Sequence, residues 1–331
     1  SWTSSDAVQV SMDNGIGSVA LNGSLPVSPS QTTTYTVSAT GPGGTATAAV
    51  TVTVNSIISL HIDSPAANSL IKRPDVLVRG TVSHAYGYET GVSVNGFPAM
   101  VCGNRFVANH VPLDLGQNEI VVRAVDKQGN STEVTMVVMV DTLEPIITLT
   151  PCDMVGVAPF QTKLGIRSNI GPSHISLSDT GPGPLLYEQG ENADERFIQT
   201  DVPGIYVIRA QENITGAYDD TAAIIVFERE ELDDLLREKW EHLRNALMNN
   251  DIDEALLDIA PSHVDDYQRI FNALTPEKRS KIAGEMQDIQ LIDMMGGSVE
   301  YDIRTIREGR ECSFLLRFEM DDDGFWKIDF F

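Results

Sequence analysis

Val92-Ser-Val-Asn-Gly96 closes one hairpin, Gly116-Gln-Asn118 leads into Ile120-Val-Val-Arg-Ala-Val125, and Asp126-Lys-Gln-Gly-Asn130 turns the chain into Val134-Thr-Met-Val-Val-Met-Val140. Asn-Gly supplies the positive φ angles that a tight hairpin demands, and the flanking residues are β-branched. Residues 92–140 therefore read as part of an antiparallel β-sandwich. No catalytic or cofactor motif stands beside them.

Working outward, residues 56–143 make a complete module. It opens at His61-Ile-Asp-Ser-Pro65 and includes strands at Asp75-Val-Leu-Val-Arg-Gly-Thr-Val82 and Phe106-Val-Ala-Asn-His-Val111. Residues 1–55 read as a shorter module. Thr34-Tyr-Thr-Val37 and Thr45 to Val54 form a hairpin around Gly41-Pro-Gly-Gly44. A full immunoglobulin-like sandwich takes about 80 to 100 residues. This module is expected to lack its first strand and to leave a sheet edge open, with Trp2 at a core position. Residues 144–228 form a third module, between Pro145-Ile-Ile-Thr-Leu-Thr150 and Ala222-Ala-Ile-Ile-Val-Phe227, with a loop at Asp179-Thr-Gly-Pro-Gly-Pro184.

The composition changes near residue 228. Leu232, Leu236, Trp240, Leu243 and Leu247 recur at spacings of four, four, three and four, which marks one helix face. Asp251 has capping-box form, Ser262 can cap a third helix, and Thr275-Pro276 starts a fourth with proline in its first turn. Strands follow at 289–292, 298–306, 312–320 and 325–331, the last two joined by Asp321-Asp-Asp-Gly324. Residues 229–331 thus read as an α+β domain, helices followed by strands.

The chain has 331 residues and a net charge of −24. That balance argues against nucleic acid and anionic membrane surfaces, which need clustered Lys and Arg. It allows divalent cations, so calcium is a candidate cofactor. Cys102, Cys152 and Cys312 are scattered, without metal-like spacing, and fit isolated buried thiols. No apolar run reaches the roughly 20 residues of a membrane helix. The chain opens on Ser1-Trp2 rather than Met and reads as a piece of something longer.

These residues carry resemblances. Thr32-Thr-Thr-Tyr-Thr-Val-Ser-Ala39 and Gly43-Gly-Thr-Ala-Thr-Ala48 resemble bacterial immunoglobulin-like repeats. Val94-Asn-Gly96, Gly116-x-Asn118 and Ala124-x-Asp126-x-x-Gly-Asn130 resemble the immunoglobulin-like modules of large bacterial surface proteins. Gly156-x-Ala-Pro159 and Pro203-Gly-x-Tyr206 resemble polycystic-kidney-disease-type repeats, although Ser178-Asp-Thr-Gly181 replaces their Asp-Gly-Asp-Gly-like stretch. The segment ending Gly324-Phe-Trp-Lys-Ile328 is similar to the cystatin-like fold of nuclear transport factor and polyketide-cyclase relatives. The whole order resembles segments beside rearrangement-hotspot (Rhs) repeats in secreted bacterial proteins. The resemblance implies a multidomain fold, three all-β immunoglobulin-like sandwiches followed by a small cystatin-like domain with helices on a curved antiparallel sheet, at the bacterial surface or outside the cell.

Few residues stand out as sites. His84-Ala-Tyr-Gly-Tyr88 puts two tyrosines and a histidine on one loop, and exposed Tyr86 and Tyr88 could stack on a glycan or anchor a protein. The alternative is a loop folded over the sandwich end. Asp219 and Asp220 beside Tyr218 could hold calcium at a module junction, against a polar start to a strand. Asp321 and Asp323 suggest a calcium loop without the distal Glu of an EF-hand, against a solvated turn. The six histidines show no zinc-enzyme spacing.

The expected role is therefore structural or adhesive and not enzymatic: a spacer or assembly component of a larger surface or secreted protein. Its partners would be protein or glycan at the cell surface, or further copies and upstream modules through the open edge. The rivals are a carbohydrate-binding accessory region and an enzyme with its site in the C-terminal domain. Short junctions near 55, 143 and 228 predict an elongated rod. Strand alternation predicts a C-terminal pocket filled by Trp240, Tyr267, Phe271, Phe318 and Trp326, with Tyr301, Cys312 and Thr305 as its inward polar groups.

Overall fold

The computed structural model describes residues 1–29, 32–53, 56–142, 146–286, 288–295, 297–307 and 310–331. The chain falls into two units, Ser1–Ile57 and Ile58–Phe331.

In the first unit, β1 (Gln9–Met12), β2 (Gly17–Val19), β3 (Thr33–Gly41) and β4 (Gly44–Val52) form one antiparallel sheet in the order β2-β1-β3-β4. Tyr35, Val37 and Ala39 lie opposite Val50, Ala48 and Ala46, so small apolar side chains share one face. On the other face the Thr34 and Thr51 hydroxyls bond at 2.8 Å, and those of Thr40 and Thr45 at 3.0 Å. Among the described residues strand β4 pairs on one side only, and it is exposed over nearly its whole length. Val54, expected at its end, lies outside the described residues. Trp2 is not the core residue its position suggested. A core tryptophan needs a facing sheet, and the described residues of this unit form a single sheet. Its ring instead lies over Gly23, and its Nε1–H donates to Ala20 O at 2.9 Å.

The second unit begins with a sandwich of β5 (Ile58–Ser64), β6 (Leu70–Ile71), β7 (Asp75–His84), β8 (Thr90–Val94), β9 (Phe97–Cys102), β10 (Arg105–Pro112), β11 (Gly116–Asp126) and β12 (Ser131–Val140). Strand β9 pairs with both β8 and β10 and so joins the two layers. Asn95 and Gly96 have φ of 49° and 81°, and Val94 pairs with Phe97, which is the two-residue hairpin that Asn-Gly encodes. The inward residues Val78, Val92, Phe106, Val122 and Val138 form the core between the layers.

Two four-stranded sheets make the next module. One runs β13-β15-β18-β17 and the other β14-β20-β19-β16. The strands are β13 (Ile147–Pro151), β14 (Val155–Val157), β15 (Phe160–Ser168), β16 (Ile175–Thr180), β17 (Leu186–Gln189), β18 (Glu195–Thr200), β19 (Gly204–Glu212) and β20 (Asp219–Phe227). Buried Tyr206 donates its hydroxyl to Val202 O at 2.9 Å, and its ring blocks any Cβ at Gly181. That contact fixes the proline- and glycine-dense loop.

Helices α1 (Arg229–Met248), α2 (Ile252–Leu256), α3 (Val264–Ala273) and α4 (Pro276–Glu285) then precede an antiparallel sheet of β21 (Asp288–Met295), β22 (Ser298–Arg307), β23 (Arg310–Met320) and β24 (Trp326–Phe330). The row Leu232, Leu236, Trp240, Leu243 and Leu247 is buried, as its spacing requires. Asp251 and Thr275 accept from Glu254 N and Lys278 N as N-caps, and Pro276 stands in the first turn of α4. Helix α3 has His263 at its N-cap instead of Ser262, because residues 261–263 already turn helically.

The modules of the second unit do not lie end to end, which corrects the expected rod for this unit. Leu77 and Val107 share a core with Ala223 and Ile225, so the sandwich lies against the flank of β20. Phe227 and Val157 pack on the core of the helical module. The turn at 321–324 sits on the sandwich. A Cβ on Gly91 would come within 2.3 Å of Asp323 O and 2.6 Å of the Phe325 ring. The junction residues 143–145 lie outside the described residues. The cysteines also depart from expectation: Cys152 is exposed, while Cys102 and Cys312 are half-buried.

Candidate functional site

Loop 84–88 leaves β7 at the sandwich end and turns on Gly87, whose φ is +72°. His84 is its anchor. The Tyr86 N–H donates to His84 Nδ1 at 3.2 Å, so that nitrogen is the acceptor and Nε2 carries the proton toward Asp126 Oδ2, also at 3.2 Å. Asp126 accepts further from Gln128 N, Asn130 N and Asn130 Nδ2. Burial alone would push its carboxyl up, but the bonds from Asn130, His84 and Gln128 outweigh that and hold it below the ordinary range.

On this anchor the aromatic side chains cluster outward. Tyr86 is 70% and Tyr88 49% exposed, and their ring centres lie 6.0 Å apart. His84 is 5.8 Å from the first and 5.1 Å from the second, and Lys127 Nζ lies 6.0 Å from the Tyr88 ring centre. The loop is therefore fixed at its base, with both phenol rings open to a ligand.

Tyr88 also borders a cleft of about 440 Å³ between the sandwich, the end of β20 and the helical module. Phe227, Leu235 and Met320 line it, together with Ser83, Asn104 and Glu231. Glu89 lies there too, but its carboxylate is engaged by Lys239 Nζ and by the Trp326 N–H at 3.3 Å. Lys239 thereby ties α1 to the sandwich.

Asp220, predicted as a possible calcium ligand, is 2% exposed. Asp75, His110 and Asp220 bring three potential metal-ligating atoms within 4.8 Å of one another. Arg73 sits among them, with Nε 2.6 Å from Asp75 and Nη1 2.5 Å from Asp220, so a guanidinium already supplies positive charge. Asp219 pairs with Arg209 at 2.8 Å. The Leu149 N–H donates to Asp220 at 2.6 Å, and His110 Nε2 lies 3.3 Å from it. Hydrogen bonding to Asp220 raises the His110 pKa, against the effect of burial. Its neighbour Asn109 joins the modules as a strand would: its Nδ2 donates to Ala223 O at 2.8 Å, and the Ala223 N–H donates to its Oδ1 at 2.7 Å. Asn109, His110, Arg73 and Asp75 were not singled out from sequence. The available signal was the break in alternation at Asn109-His110, where β10 shifts register and His110 takes φ of +47°.

Asp321 and Asp323 occupy a turn that is exposed at Asp322 and Asp323, as expected, and docked at its Gly324 end. Asp321 accepts from Asp323 N at 3.0 Å and Phe325 N at 2.8 Å, and Asp323 pairs with Arg123 at 3.5 Å. Burial pushes the Asp321 carboxyl up. Only the Gly324–Phe325 end of the turn is buried, where Gly91 and Gly324 let two backbones meet, while Asp322 and Asp323 stay exposed.

In the helical module Trp240, Tyr267, Phe271, Phe318 and Trp326 do fill one core. Tyr301 and Thr305 are buried and Cys312 half-buried. The Tyr301 hydroxyl donates to Asp233 at 2.8 Å. Burial pushes this phenol up, and the bond to Asp233 adds to the shift. Buried Arg244 and Arg279 cap carbonyls of Ala283, and of Phe271 and Leu274.

Residues 58–142 match the family model described as glucodextranase, domain B, which places an immunoglobulin-like module there. No curated protein matches the sequence. Among solved structures, domains 4–9 of surface layer protein SbsC align at 15% identity over 66% of this chain and 39% of theirs, with a TM-score of 0.26. Cadherin domains 1–4 of protocadherin gamma B7 align at 17% identity over 68% and 66%, TM-score 0.20. A Bacteroides ovatus mixed-linkage glucan utilization protein, SGBP-B, solved with a heptasaccharide, aligns at 15% over 52% and 48%, TM-score 0.21. The chain thus spans about two fifths of the surface-layer fragment. Scores this low carry no functional argument.

Proposed function

We propose that this chain is a non-enzymatic part of a larger bacterial surface or secreted protein, working outside the cell as a spacer or assembly component. The observation that supports this most is how the second unit spends its polar residues. Arg73, Asn109, Asp220, Glu89 and Lys239 all tie one module to another. Such a block holds its exposed faces at fixed distances. We read the 229–331 module as cystatin-like, with the pocket of that fold occupied by its own side chains. We assign calcium no part at Asp219 and Asp220, since Arg209 and Arg73 neutralise them. The exposed edge of β4 favours partners that add a strand, a further copy or a neighbouring module. The test is a turnover screen of the whole chain against polysaccharides and simple esters. Product release that a Tyr301→Phe or Asp233→Asn exchange abolishes would place an active site in the helical module and end this reading.

A second reading, glycan binding, is favoured by the Tyr86 and Tyr88 rings and by the match of residues 58–142 to a domain named from a glucodextranase. Affinity electrophoresis in neutral glucan gels, with a Tyr86→Ala/Tyr88→Ala double variant, tests it. Retardation of the parent and not of the variant is the expected result.

A further inference from the structure

We propose that the cleft bordered by Tyr88, Phe227 and Asn104 binds the terminal sugar of a neutral oligosaccharide, whose following sugar lies on Tyr86. This rests on the glycan-binding reading and names its site. The cleft volume of about 440 Å³ falls within the range of small-ligand sites, roughly 300–1,000 Å³. Its lining has two characters. Phe227, Leu235 and Met320 offer apolar surface, while Ser83, Asn104 and Glu231 offer hydrogen-bonding groups. A ligand that satisfies both is apolar on one face and carries hydroxyl donors on its rim, which describes a pyranose ring.

Charge narrows the class. Glu89 and Glu231 line the cleft, and no Lys or Arg does so among the described residues. Glu89 is compensated by Lys239, and Glu231 has no ion-pair partner among the described residues. An anionic sugar would meet that carboxylate without a compensating cation, whereas a hydroxyl can donate to it. The direction of the chain follows from the rings. Tyr88 stands at the cleft, half-exposed, and Tyr86 lies 6.0 Å beyond it, so a second sugar leaving the cleft passes over an open aromatic face. His84 fixes that face beforehand, which reduces the ordering cost of binding.

The test uses the whole chain and calorimetric titration with α- and β-linked gluco-oligosaccharides, beside an oligouronate. Asn104→Trp fills the cleft from the exposed turn between β9 and β10, and Ser83→Trp does so from β7, in case the first exchange disturbs folding. Each should weaken a neutral oligosaccharide by about tenfold or more, and Tyr86→Ala by about threefold to tenfold. Binding that is lost in Tyr86→Ala/Tyr88→Ala yet unchanged in both cleft variants would overturn the cleft while keeping the glycan reading. Absence of binding by the parent to every neutral oligosaccharide would overturn both. Equal affinity for the oligouronate would overturn the assignment of a neutral ligand.

Discussion

His84 Nε2 lies 3.2 Å from Asp126 Oδ2, with both side chains closed to solvent. The pair links the base of the aromatic loop to the turn before β12. Asp126 also accepts from Gln128 and Asn130, both exposed, so the donor that depends on it most is the buried His84 imidazole.

Asp126→Asn keeps an acceptor for Gln128 N and Asn130 N but sets an amide donor against His84 and Asn130 Nδ2, and should destabilise the sandwich by about 1–3 kcal/mol. The folded pKa of Asp126 is depressed. Its stabilisation is present above the unfolded value and is lost as pH falls through the folded one, below about 4. Denaturant titrations at neutral pH and near pH 3 check this. The gap between parent and variant should shrink in acid.

Asn109→Ala removes both side-chain bonds to Ala223 and opens the contact between the sandwich and β20. A loss of about 1–3 kcal/mol is expected, with the two Ala223 backbone groups left to find water. Calorimetry should show the transition of the second unit broadening or splitting relative to the parent. An unchanged sharp transition would mean that the apolar contact of Leu77, Val107 and Ile225 holds the modules without it.

The His110 site gives the opposite pH dependence. Bonding to Asp220 raises the folded pKa of His110, with Asp75 adding to the shift and burial and Arg73 opposing it. Stabilisation is complete below the unfolded value of about 6.5 and fades as pH rises through the folded value. His110→Gln should flatten the stability profile above about pH 6.5, measured by urea unfolding. A variant as pH-sensitive as the parent would remove His110 from the account.

Much of this architecture could be read locally. Asn95-Gly96 encodes its turn by φ alone, and the Leu232 to Leu247 row encodes a buried helix face by spacing alone. What joins the modules could not be read so. Asn109 meets Ala223 and His110 meets Asp220 across more than a hundred residues, and the sequence shows only a broken alternation where β10 bulges. Gly91 looks like an ordinary strand glycine until Asp323 O is seen against it. The Tyr86 and Tyr88 loop was visible as composition, but its rigidity comes from a buried carboxylate on another strand.

Gly91→Ala tests the docked turn directly. The new methyl would meet Asp323 O at 2.3 Å and the Phe325 ring at 2.6 Å, with backbone on one side and a buried ring on the other. Overpacking of this kind costs about 1–3 kcal/mol. Hydrogen exchange should rise at Asp321 N and Gly324 N, while the Asn95-Gly96 hairpin stays protected.

The edge of the first unit gives the last prediction. Strand β4 is bonded to β3 on one side, carries no charge or proline, and has no strand paired to its other side among the described residues. Natural sheets usually blunt such edges with Lys, Pro or a bulge. Val50 is 62% exposed on that strand, so Val50→Lys should change the stability of the unit by less than about 0.5 kcal/mol. The same charge would obstruct an added strand. In the chain alone, alternate amides of residues 44–52 should exchange rapidly, and they should slow at high protein concentration in the parent but not in Val50→Lys. Full protection in a dilute monomer would mean that the edge is covered from within the chain, and strand addition would then have no place there.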